Sequence, residues 1–598
     1  MGDAKGDKKN WLPKPSFNRK KISRRVRKVE GATIRHANRF VIKRWTNVRE
    51  VQREVGFWVL AIGLLILASG LQLLWFQQSY QTDAPTNDGT YAEAVLGPIN
   101  TLNPLFAGSS AEQSASYLLF SRILTYDKTG HLNYDLATNV KMNDTKNVYT
   151  VTIRPDAKWS DGVKLTAKDI AFTVGLMKNP DARTTDSGWG GISVKVINDT
   201  TIEFTLPAVY APFEHALTFP IVPEHILGKV AAISLRENDF SHNPVGSGPF
   251  KFSFTQDVDI KNSNKIIHLV RNDKYYSGSA KLTVFQLHAY GTNEAIISAL
   301  SSNEVNAASG VLSTELKQVD TNRYSVSVEP IQSGVYAILN TKSAFLQDLK
   351  LRQALQLGTD SGAIRKQLPA GTPPISLPFT NGQLGGDVPE APAYNQKTAN
   401  KILDDNGWKL NGQNVRVKDG KELKLSVVTL KNSEFENVLD TLAGQWRALG
   451  ISVETKVIDP TDATQNAVQT ILEPRNFDVL VYQLNIGVDP DVYAYWHSSQ
   501  ISMTGRNYSN YSNAITDDAL ITARSRVEPN LRNAKYITFA RQWLADVPAI
   551  GLYQSTTQYV TSRNASSIDS SDILVSPVDR YSTVLNWSVG SRVVFKTP

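Results

Sequence analysis

The 598-residue chain has no cysteine. Disulfides, Cys-ligated zinc, Cys-ligated iron–sulfur clusters and thiol nucleophiles are thereby excluded, as is a lipid-modified cysteine as membrane anchor. Histidine is scarce. His36, His131, His215, His225, His242, His268, His288 and His497 are scattered and form no His-Glu-x-x-His pattern or short-spaced pair, so no metal is expected. A Gly-x-Ser-x-Gly elbow and a Gly-x-x-x-x-Gly-Lys-Ser/Thr phosphate loop are also missing, so the chain reads as neither an enzyme nor a cofactor carrier. No repeat of 20 to 50 residues and no low-complexity tract is visible.

Charge is absent from one stretch, Val55 to Phe76, 22 residues reading VGFWVLAIGLLILASGLQLLWF. At about 1.5 Å per residue a helix of that length spans about 33 Å, enough to cross a hydrocarbon core of about 30 Å. The preceding residues 1–54 carry 17 Lys and Arg against 5 Asp and Glu, whereas the rest of the chain carries 47 against 51. Basic flanks stay on the cytoplasmic side of a spanning helix, so a single-pass anchor is expected, with the leader inside and the main body outside. Trp75 and Tyr80 suit the outer interface. A cleaved signal peptide is the alternative, but the leader is long for one and QQSYQTDAP offers no small-x-small site. The net charge of +8 belongs to the leader, so nucleic acid is not an expected partner of the body. Within the leader, KKISRRVRK at 20–28 reads as a disordered topology signal, with anionic lipid or a protein partner as the alternative.

Residues 77–90 are read as a linker rich in polar residues, Pro and Gly, and the folded body begins near Tyr91. At about 510 residues the body is too long for one core. Strands are expected at 148–154, 201–206, 334–340, 422–429 and 478–483, and amphipathic helices at 167–178, 348–357, 397–406 and 434–449, which together indicate an α/β or α+β body. Arg352 lies beside an apolar helix face and is read as a surface ion-pair residue.

Several short motifs follow one another in the body. Lys158-Trp159-Ser160-Asp161-Gly162 precedes Leu165-Thr166-Ala167-Lys168-Asp169-Ile170, where Thr166 is placed to cap a helix. Ile221-Val222-Pro223-Glu224-His225-Ile226-Leu227, Asn243-Pro244-Val245-Gly246-Ser247-Gly248-Pro249-Phe250 and Arg271-Asn272-Asp273-Lys274-Tyr275-Tyr276 come next. Leu339-Asn340-Thr341, Leu351-Arg352-Gln353-Ala354-Leu355, Ile402-Leu403-Asp404-Asp405-Asn406-Gly407-Trp408 and Asp489-Pro490 complete the series. In this order and spacing the motifs resemble the family 5 extracellular solute-binding proteins, the oligopeptide, dipeptide and nickel binders of ABC importers, from about Leu96 to about Asn586. Gly246 and Gly248 are read as scaffold, permitting either positive φ or close backbone approach.

The resemblance implies a periplasmic-binding-protein-like type II fold with an added lobe. Lobe I is expected at 91–127, 217–325 and 553–598, lobe II at 128–216, and lobe III at 326–552. It further implies a solute, best an oligopeptide, held between lobes and delivered to an ABC permease. By the same resemblance, ligand contacts fall at Ser109, Ser110, Ala111 and Glu112, at Tyr336 and Asn340, and at Gln483, Leu484 and Asn485, with Trp189 as an aromatic wall. One departure stands out. Peptide-binding relatives carry an aspartate two or three positions before the Asp-Pro, where it pairs with the peptide amine, and this chain has Ile486 or Gly487 there. A sensory or adaptor receptor acting through the basic tail is the alternative function.

Overall fold

The computed structural model describes residues 48–595 apart from 186–187, 260–261, 460–464 and 569–572. The basic leader, expected to be disordered, lies outside the described residues up to residue 47. The chain forms two units, residues 1–84 with 593–598, and residues 85–592.

In the first unit, helix α1 (Val48–Tyr80) contains the apolar stretch and extends beyond it at both ends. Its segment Gln52–Trp75 is long and apolar enough to cross a membrane, and among the described residues its large apolar side chains are exposed. Residues 77–80, assigned to a linker by sequence, continue the helix, and 81–85 are a strand.

The second unit is built on one sheet of ten strands. In chain order these are β1 (Thr90–Leu96), β6 (Phe250–Asp259), β7 (Asn264–Arg271), β8 (Val284–Tyr290), β9 (Ala307–Ser309), β10 (Tyr324–Leu339), β11 (Lys424–Leu430), β12 (Ser452–Ile458), β13 (Val479–Asn485) and β14 (Ala549–Ser562). Their spatial order is β12-β11-β13-β10-β14-β9-β1-β8-β7-β6. A separate four-stranded antiparallel sheet, β2 (Ala137–Met142), β3 (Val148–Ile153), β4 (Ser193–Asn198) and β5 (Thr201–Thr205), is ordered β2-β3-β5-β4. The strict alternation of buried and half-buried positions along β3 is the two-residue period of a strand with one face on a core.

Alternation also explains how one half of the large sheet is covered on both faces. Val335, Ala337 and Leu339 of β10 join one apolar cluster, while Tyr336 and Ile338 join another on the opposite face. Helix α4 (Ser433–Arg447) supplies Val438, Leu439, Leu442 and Trp446 to the first cluster. Helix α5 (Pro529–Asp546) supplies Tyr536, Phe539, Ala540 and Trp543 to the second. The four-stranded sheet shares its core with β1, β7 and β8.

Two long antiparallel strands, β10 and β14, join the halves of the large sheet. The first part of β10 pairs with residues 556–562 of β14, and its second part pairs with both β13 and residues 549–554 of β14. The register breaks between Pro330 and Gly334, and again between Val335 and Tyr336. Proline has no N–H to give to a ladder. A Cβ at Gly334 would sit 2.5 Å from Ile375 Cδ1, so the Ile375 side chain would have to shift to admit one.

Arg352 departs from expectation. It is buried, and its guanidinium donates to the carbonyls of Leu346 at 2.8 Å, Gln347 at 3.2 Å and Asp546 at 2.9 Å. A cation at the C-terminal end of α5 satisfies a carbonyl left without an intrahelical partner and complements the helix dipole, so the residue is structural.

A candidate ligand cavity

Three of the motifs meet beside residues 119–122. Trp159-Ser160-Asp161-Gly162 forms a tight turn, with Gly162 at φ +97° and Trp159 N donating to Val163 O at 2.8 Å. Ser160 N then donates to Gly246 O at 2.7 Å, which ties the Trp-Ser-Asp-Gly turn to the Gly-Ser-Gly-Pro-Phe loop. That loop lies on the end of helix α2 (Ser110–Leu119), where the N–H groups of Ser247 and Gly248 both donate to Leu119 O, at 2.9 and 2.8 Å. Ser121 donates twice to Ser247, from N to Oγ at 3.0 Å and from Oγ to the carbonyl at 2.9 Å, and Asn272 Nδ2 donates to Gly248 O at 2.9 Å. Segment 119–122 is thus held by the loop at 247–248, which Ser160 and Asn272 hold in turn.

This fixed segment presents Arg122 to a cavity of about 600 Å³. Gln113, Ser116 and Tyr117 of α2 contribute to the wall, as do Thr125 and Tyr126. Trp189, His215 and Phe219 form a further side, and Ser576, Val578 and Asp579 close the cavity from the C-terminal region. Trp189 meets Phe219 edge-on with centroids 5.0 Å apart. Its place in the wall follows from a buried aromatic group that also includes Phe204 and Phe213.

Polar groups in the wall are held in defined states. Tyr126 Oη and His215 Nδ1 lie 3.0 Å apart, and burial pushes the Tyr126 phenol up. Burial lowers the pKa of His215 below the usual histidine value, with Asp489 opposing the shift and Arg532 adding to it. Burial raises the pKa of the Asp579 carboxyl, opposed by hydrogen bonds from Ser576 and by the charges of Arg122 and Arg580. Asp579 Oδ2 accepts from Ser576 N at 2.7 Å and Ser576 Oγ at 2.6 Å, the capping pattern of the 3₁₀ stretch Pro577–Asn586.

Of the ten residues expected from the sequence to contact a ligand, Trp189 lines this cavity. Ser109 caps α2, and Glu112 closes the capping box. The Glu112 carboxylate accepts four backbone N–H groups, from Asn100, Thr101, Gly108 and Ser109 at 2.8 to 3.3 Å, which occupies both oxygens. Ser110 is the exposed first residue of α2, and Ala111 is fully buried. Tyr336 is buried and donates to Leu377 O at 2.8 Å. Asn340 Nδ2 donates to the carbonyls of Arg475 and Phe477 at 3.3 and 3.0 Å. Gln483 is half-buried on β13 opposite Val335, and Leu484 is in the core. Asn485 is exposed and its Oδ1 accepts from Ser333 Oγ at 2.9 Å. Arg122, Tyr126, His215 and Asp579 had not been singled out as ligand contacts. Only Asp579 carried a local signal, a Ser-Pro-Val-Asp capping box at 576–579.

A sequence model of the bacterial extracellular solute-binding proteins, family 5 (middle region), matches residues 131–503. The chain belongs to this family. It is 27% identical over 534 residues to the oligopeptide-binding protein AppA of Bacillus subtilis, covering 86% of this chain and 96% of AppA. The structure of that AppA in complex with a nonapeptide superposes with a TM-score of 0.69 at 26% identity, covering 85% of this chain and all of AppA. NikZ from Campylobacter jejuni, in complex with Ni(L-His), superposes with a TM-score of 0.71 at 23% identity, covering 84% of this chain and all of NikZ. The family 5 chain therefore has the periplasmic-binding-protein-like type II fold and is a solute-binding protein of an ABC importer.

Proposed function

We propose that this family 5 protein is a membrane-anchored extracellular receptor that captures an oligopeptide in the cavity beside Trp189 and delivers it to an ABC permease. The observation that carries the peptide reading is the 600 Å³ cavity, with an aromatic side at Trp189 and Phe219 and polar groups that include Arg122, His215 and Asp579, in a chain related along most of its length to oligopeptide-binding proteins. Anchoring is supported by α1, whose apolar side chains are exposed all round, from Phe57 and Trp58 to Leu74 and Trp75. A helix apolar on every side needs a nonaqueous environment, and hydrocarbon supplies it.

The reading includes closure of two lobes about β10 and β14, where the register breaks provide the bend. Contacts bridge the body between residues 146–211 and 491–528. Ala211 N donates to Arg524 O at 2.8 Å, Tyr210 Oη donates to Asp491 Oδ2 at 3.2 Å, and Lys146 pairs with Glu528. A ligand that favours the closed arrangement shifts the population toward it.

Native mass spectrometry of the full chain in detergent tests the function: a peptide mass released on mild denaturation is expected. A non-peptide solute would replace the substrate but keep the receptor. Protease applied outside intact cells should remove the body and spare the leader, and protection of the entire chain rejects the topology. The leader's net charge of +12 favours a second reading, a sensory or adaptor receptor, which gains if the purified chain holds no solute and peptide mixtures leave its unfolding temperature unchanged.

A further inference from the structure

We propose that Arg122 receives the carboxylate end of the captured solute, so that a peptide is held here by its C-terminus and needs no free amine. The inference rests on the reading of the cavity as the solute site. It starts from the loop where an amine-pairing aspartate would stand. Ile486 is buried in an apolar cluster, and the N–H groups of Ile486 and Gly487 both donate to Gln332 O at 3.0 Å. Gln383 Nε2 holds the same loop through Gly487 O at 2.6 Å and Val488 O at 3.1 Å. No carboxylate can enter from these positions.

The two nearby aspartates are already engaged. Asp489 is gripped by Arg532 through two hydrogen bonds, and Asp491 accepts from Arg524 Nε at 3.0 Å and from Tyr210. Of the acidic side chains in the cavity wall, Asp579 has its Oδ2 taken by the Ser576 cap. An ammonium group brought into such a cavity would lose water and find one carboxyl, already capped at one oxygen, to replace it.

Arg122 is in the opposite condition. Its guanidinium lies over the Tyr117 ring, 4.3 Å from the centroid, and among the described residues makes one long hydrogen bond, 3.5 Å to Phe120 O. No carboxylate among the described residues lies within 4.0 Å of it. A guanidinium has five N–H donors in a planar fork that matches a carboxylate. The backbone of Arg122 is fixed, its N–H donating to Asp135 Oδ2 at 2.8 Å and its carbonyl accepting from Leu136 N at 3.0 Å. A half-buried, positioned cation with unused donors in the wall of a cavity is suited to an anionic group.

The test uses one random tetrapeptide library in three forms, with both ends free, N-acetylated, and C-amidated, added to the full chain in detergent at pH 7. The thermal unfolding midpoint is read against library concentration. The free and acetylated forms should stabilise alike, and at least tenfold more of the amidated form should be needed for the same shift. Arg122→Gln should abolish that difference, and Arg122→Lys should restore part of it, which controls for folding of the Gln variant. Equal action of the free and amidated forms, or loss of action on acetylation alone, overturns the assignment to Arg122 while leaving the receptor reading intact. Stabilisation by none of the three overturns the peptide reading and this inference with it.

Discussion

Arg532 holds Asp489 by both oxygens, with Nη1 to Oδ2 at 2.7 Å and Nη2 to Oδ1 at 2.6 Å. Both side chains are largely buried, 15% and 10% exposed, so the pair has little water to replace a missing partner. Removing one member leaves the other charge buried and uncompensated. Asp489→Ala should therefore lower unfolding stability by about 3 kcal/mol. Urea titration of the two chains measures it, and a loss under about 1 kcal/mol would show that Arg532 finds another partner or water.

Gly246 is where the Trp-Ser-Asp-Gly turn meets the Gly-Ser-Gly-Pro-Phe loop. A Cβ at this position would lie 2.1 Å from Leu119 O, and one at Gly248 would lie 2.7 Å from Leu118 O. Neither residue has positive φ, so of the two reasons for glycine it is close approach that applies. The obstacle is backbone held at a helix end, which cannot move aside as a side-chain tip could. Gly246→Ala should cost about 3 kcal/mol, read as a fall in unfolding midpoint. An unchanged midpoint would mean that the Leu119 carbonyl yields.

The local structure was legible because its causes are local. Thr166 and Asp169 form the capping box that begins helix Ala167–Lys178, at the boundaries its sequence suggests. Strand Thr201–Thr205 follows from its alternation. The cavity was much less legible. Arg122 lines it with its backbone held by Asp135 and Leu136 and the preceding Ser121 held by Ser247, at separations that no short pattern encodes. At Glu112 the local signal is that of a cap: its carboxylate closes the box with Ser109 three residues before it.

Tyr210 donates to Asp491 across the gap between the parts proposed to close on the ligand. Tyr210→Phe deletes that hydrogen bond and keeps the ring, 4.9 Å from the Arg524 guanidinium. One hydrogen bond to a charged group contributes about 1.5 kcal/mol, so a closed state deprived of it should bind peptide about tenfold more weakly. Titration calorimetry with a bound peptide recovered from the native chain reads the ratio. Equal affinity would show that this contact does not differ between the open and closed forms.

His215 gives the cavity wall a pH response whose sign can be worked out. Burial is the main cause holding its pKa below the ordinary histidine value; Arg532 pushes the same way and Asp489 pushes back. As pH falls through the ordinary value of about 6.5, the unfolded chain takes up the proton before the folded chain does. Stability from this residue is therefore complete above that pH and is lost as the solution is acidified toward the folded value. His268, His288 and His497 are displaced in the same direction, each chiefly by burial. Glu214 and Asp579, raised by burial, act in the opposite sense, because their folded forms hold a proton to higher pH. A difference measurement cancels these other groups. Urea midpoints of the native chain and of His215→Gln at pH 7.5 and 5.5 should show a smaller acid loss in the variant, and equal losses would mean that the neutral imidazole beside Tyr126 is not what the fold requires.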